Sequence, residues 1–64
     1  MKTIEFRVIC DYANNNYQIK ANNEHHMYDK YNCLCKSVSD VMLKTFRITR
    51  DLRLAGEKAV FHFE

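Results

Sequence analysis

The chain has 64 residues, of which 47% are hydrophobic, and a formal net charge of +2. That apolar share excludes a disordered polar tail, and the charge is too small to imply nucleic-acid binding by itself. No run approaches the roughly 18 apolar residues of a membrane helix. A chain this short buries only about 60% of its unfolded surface, so residues 1–64 are expected to form a single domain. Its core should come from a close-packed two-layer unit or from a partner, a homodimer being the commonest form of such help. No apolar run precedes a small-residue cleavage site, so no signal peptide is expected. The three cysteines, Cys10, Cys33 and Cys35, then point to free thiols in a reducing cytoplasm.

In chain order, Lys2 to Cys10 alternates, with Ile4, Phe6, Val8 and Cys10 on one side and Thr3, Glu5 and Arg7 on the other. Period two with β-branched residues predicts a strand. Asp11 to Asn16 is an asparagine-rich turn, and asparagine tolerates left-handed backbone. Tyr17, Ile19 and Ala21 share one side of a second short strand, so a hairpin is expected. Asn22 to Tyr31 has no clear period and reads as a loop, the kind of segment that carries function on a rigid scaffold.

A helix is expected from Asn32, a good N-cap, to about Leu54. An alternative start is Ser37, where Ser37-x-x-Asp40 resembles a capping box. Val38, Val41, Met42, Thr45, Ile48, Thr49 and Leu52 fall in one arc of the wheel at 100° per residue, joined by Leu34. Leu43 and Leu54 fall on the polar side. Gly56 suits the residue just past the helix end. Ala59 to Glu64 closes the chain as a third strand. The expected fold is α+β in the order β-β-α-β, a small antiparallel or mixed sheet with one long helix on one face.

With Asn32 as cap, Cys33, Leu34 and Cys35 become the first three helical positions. A thiol there feels unpaired N–H groups and the positive end of the dipole, which lower its pKa. His25, or His26 as the alternative base, could complete a Cys–His pair with Cys35, and first-turn amides could serve an oxyanion. The plain alternative is that Cys35 packs as a small hydrophobe. A zinc site from His25, His26, Cys33 and Cys35 has suitable residue types but the wrong spacing, so neither a metal nor a cofactor is expected.

The stretch from residue 24 to 46 resembles the ribosomal-processing cysteine protease family, often called Prp. In that family a hairpin leads to a loop with a catalytic histidine, followed by an acidic residue, two apolar residues, the catalytic cysteine and a helix. Asn32-Cys33-Leu34-Cys35 occupies the place of that run, and Cys35-Lys36-Ser37-Val38-Ser39 resembles the cysteine with its following small residues. Tyr28 resembles a loop tyrosine of the family. The resemblance implies Cys35 as nucleophile, His25 as base, and a cysteine endopeptidase acting on a protein or peptide, or an inactive relative of one. Glu24 stands where the family usually has glycine, and Asn32 where it has Asp.

A second function class is a non-catalytic protein-binding module, such as a small phage-type inhibitor that covers a host protein's surface. Tyr28, Tyr31, Leu43, Arg47 and Arg50 are the candidate contact residues, because aromatic and arginine side chains anchor such interfaces. Lys36, Lys44, Arg47, Arg50 and Arg53 could also touch RNA, although Asp40 and Asp51 interrupt the basic side.

Overall fold

A computed structural model describes residues 2–64. The β-β-α-β frame is present, with one additional short strand. Strand β1 spans Lys2–Asp11, β2 Asn16–Ala21, β3 Cys33–Cys35 and β4 Glu57–Phe63, and helix α1 spans Val38–Leu54. The sheet order is β3-β2-β1-β4. β1 pairs antiparallel with β2 and parallel with β4, while β2 pairs antiparallel with β3.

The alternation in β1 decides which face is buried. Ile4, Phe6 and Val8 are each fully buried, and Tyr17 and Ile19 of β2 continue the same face through the pairs Cys10↔Tyr17 and Val8↔Ile19. Val41, Ile48 and Leu52 of α1 close over them. Each fully buried side chain of this size contributes roughly 1.5–3 kcal/mol. Phe61 of β4 stacks on Phe6 with ring centroids 5.3 Å apart, and Tyr31 meets Phe6 edge-on at 6.2 Å.

The β1–β2 turn is a short 3-10 segment, Tyr12–Asn14, followed by Asn15 in the left-handed region at φ 52°. Asparagine is the residue other than glycine that best accepts that conformation. The polar segment 22–31, expected as a loop, coils into kinked 3-10 turns over Asn23–Tyr31.

The helix begins at Val38, which corrects the start at Asn32. Ser37, in extended backbone, is the N-cap, and its hydroxyl accepts from the Asp40 N–H at 3.1 Å. Asn32 instead terminates a strand. Its side-chain oxygen accepts from the Ala21 N–H at 2.8 Å, at the end of β2. Cys33-Leu34-Cys35 then lies alongside β2 as β3, with Cys35 beside Tyr17 and Cys33 beside Ile19. Past the helix, the Gly56 N–H donates to the Arg53 carbonyl, with Gly56 at φ 78°.

The second sheet face carries Glu5, Arg7, Lys58, His62 and Glu64. Arg7 grips Glu64 through two hydrogen bonds of 2.6 and 3.0 Å, and the Arg7 guanidinium holds the Glu64 carboxyl below its usual range. His62 Nε2 lies 2.9 Å from the Glu5 carboxylate. No helix of the described residues is long and apolar enough to cross a membrane.

Candidate functional site

Cys35 lies within the sheet, not at a helix terminus. It faces the core from β3 with 1% of its surface exposed. Burial, followed by proximity to Cys33 and Asp40, pushes its thiol pKa up to about 12. This is the reverse of the lowering that a helix N-terminus would give. Helix α1 starts three residues later, beyond Lys36 and the Ser37 cap.

His25 is held elsewhere. Its Nδ1 accepts the Glu5 N–H at 3.1 Å, at the point where β2 has ended and β1 would otherwise lack an acceptor on that side. The Asn22 N–H caps the carbonyl of the same Glu5. The imidazole therefore continues the sheet ladder as a substitute backbone group. Cys35 is level with Tyr17 and Cys10, whereas His25 is level with Glu5. Five residues of strand at about 3.4 Å each set the two rows roughly 17 Å apart. A base must come within about 3 Å of the proton it takes, so Cys35 and His25 are not brought together. His26 is exposed at the same end as His25. Among the described residues no three His, Cys, Asp or Glu side chains converge as metal ligands.

The expected contact residues divide. Tyr28 and Tyr31 are half-buried and close the end of the core. The Tyr28 hydroxyl donates to the Glu57 carboxylate, which raises the phenol's pKa above its ordinary value. Lys2 stands over the Tyr28 ring and Lys30 over the Tyr31 ring. Leu43, Arg47 and Arg50 are exposed, with Arg50 3.8 Å from Asp51. The basic residues occupy several sides of the helix: Lys44 and Arg47 line a depression with Tyr31 and Cys33, while Arg53 lines another with Glu57 and Ala59.

Those two depressions orient the helix. The Lys44 side faces β3 and the 3-10 turns, and the Thr49–Arg53 side faces β4. Advancing 100° per residue, Val38, Met42 and Phe46 project on the β4 side, one turn apart. The sequence pattern places Val38 and Met42 in the buried arc and passes over Phe46. In the structure Val38, Met42, Phe46 and Phe63 of β4 are 53–65% exposed. Val38 and Phe63 share the wall of a small cavity with Cys10 and Tyr12. The i, i+4, i+8 spacing of Val38, Met42 and Phe46 was the available signal, because one sheet face cannot cover so wide an apolar arc.

Among the described residues β4 has a neighbour on one side only, so these four side chains flank an open sheet edge. The other notable opening, about 310 Å³ beside β3, is lined by Ile9, Tyr17, Gln18, Leu34, Cys35 and Lys36, among others. Comparisons with protein-family models, curated proteins and solved structures found no match to this chain.

Proposed function

We propose that this chain is a non-catalytic protein-binding module. It works by laying the edge of β4 and the adjoining helix ridge against another polypeptide chain. The observation that carries this reading is the ridge of Val38, Met42, Phe46 and Phe63, all exposed beside the open edge of β4. Contiguous apolar side chains on a small domain mark an interaction site, and an open edge supplies backbone donors and acceptors for an added strand. A cytoplasmic setting suits the three free cysteines.

The test is a photo-cross-linking residue placed at Phe46, compared with one at exposed Lys20 on the other sheet face, both in the living host. Protein adducts should form at position 46 and not at position 20, and Cys35→Ala should retain them. Absence of any protein adduct at position 46 overturns the reading. So does their loss on Cys35→Ala in a chain that still folds.

A further inference from the structure

Hydrogen bonding to β1 decides which groups of β4 face outward. The Glu64 N–H donates to the Val8 carbonyl at 2.9 Å, and the Cys10 N–H donates to the Glu64 carbonyl at 3.1 Å. In a parallel ladder such inward-facing residues recur at every second position. Lys58, Val60 and His62 therefore bond toward β1. The N–H and C=O groups of Ala59, Phe61 and Phe63 point to the open edge. The opposite edge, β3, is only three residues long and offers little to pair with.

We propose that a second copy of this chain pairs with β4, antiparallel and with Phe61 on the two-fold axis, joining two four-stranded sheets into one. The proposal rests on the protein-binding reading and names the partner for that same surface. An antiparallel two-fold edge contact has its axis perpendicular to the sheet, so both helices lie on one face. Residues pointing to one face can then meet only residues pointing to that face.

Three registers are close alternatives, and charge selects among them. With Phe61 opposite the partner's Phe61, Lys58 meets the partner's Glu64. On the helix side Ala59 meets the partner's Phe63, small against large. Centring on Val60 instead sets Lys58 against the partner's His62 and Glu57 against the partner's Phe63. Centring on His62 leaves Glu64 against the partner's Val60. Only the Phe61 register sets opposite charges across the new pair and keeps the helix side wholly apolar. It also suits the outward groups: Phe61 exchanges both backbone bonds with the partner's Phe61, and Ala59 exchanges both with the partner's Phe63. Strands about 4.8 Å apart bring the two helices alongside each other, so that Val38, Met42 and Phe46 are covered on both copies.

Sedimentation equilibrium on the full chain, from low micromolar to millimolar, tests this. The expected result is a rise from the 7.7 kDa chain mass to twice that value. Phe63→Lys, at an exposed position, and Ala59→Pro, which removes an outward N–H without touching a bond to β1, should each raise the dissociation constant at least about tenfold. Lys58→Glu, which sets like charges across the pair, should raise it roughly tenfold. Leu34→Lys on the far edge should leave it unchanged. Far-UV circular dichroism checks that each variant folds, and Phe63→Lys and Lys58→Glu decide the matter should Ala59→Pro fail to fold. A monomer at every concentration overturns the proposal, as does a dimer indifferent to both Phe63→Lys and Lys58→Glu. A monomer that still cross-links another protein at position 46 overturns self-pairing and leaves the binding reading standing. A monomer with no adduct overturns both.

Discussion

Cys35 should be the slowest thiol in the chain to react, and the size of the effect follows from its surroundings. Its pKa is pushed from an ordinary 9.0 to about 12, and it is 1% exposed. Only the thiolate attacks an alkylating agent. A three-unit rise lowers the thiolate fraction near neutral pH by about a thousandfold relative to an ordinary cysteine. Steric exclusion slows the reaction further, until labelling requires the core to open. The assay is timed iodoacetamide labelling near neutral pH, with each site followed by mass spectrometry. Cys10 and Cys33, both half-buried, should be modified while Cys35 is still free. Adding denaturant should then bring Cys35 up to the rate of the others. A Cys35 that reacts first in the folded protein would refute the reasoning, and it would restore the activated nucleophile that the family resemblance implies.

The same thiol gives the chain an alkaline weakness. Its folded pKa lies above its unfolded one, so its contribution to stability is complete below about pH 9 and is lost as pH rises toward 12. At pH 10 the loss is about 1 kcal/mol, measurable as a fall in unfolding free energy with pH that is steeper than in Cys35→Ala. Ser37→Ala should cost about 1 kcal/mol of stability by removing the helix cap. Asn32→Ala should cost a similar amount by removing the acceptor for Ala21, with helix content unchanged by circular dichroism. His25→Phe should cost roughly 1–3 kcal/mol in thermal unfolding, because the Glu5 N–H loses its acceptor, and should speed Cys35 labelling no more than that loss of stability allows.

The frame of the fold was legible wherever periodicity and one-sided burial act together. Ile4, Phe6 and Val8 alternate because one face of β1 is buried, and Gly56 marks the helix end because it takes a positive φ there. β3 was not legible. Three residues are too few to show a period, and Asn32 looks like a helix cap because the oxygen that could cap a helix also serves the Ala21 amide. The role of His25 was hidden for a related reason: its partner is a backbone amide 20 residues away, which no local pattern records. The exposure of the helix ridge was not legible, because an apolar arc shows what a helix could bury, whereas the width of the sheet decides how much it does bury. Val41, Ile48 and Leu52 are covered, and Val38 and Met42, on the β4 side of the same arc, are not.

The most direct measurement of the contact surface is residue-resolved amide exchange along β4. The Ala59, Phe61 and Phe63 amides point away from β1, so they should exchange freely in a dilute monomer. They should slow sharply once another chain pairs with the edge, while Val60 and His62 stay protected throughout. Equal protection of all five amides at high dilution, or no slowing of the outward three on association, contradicts binding through this strand.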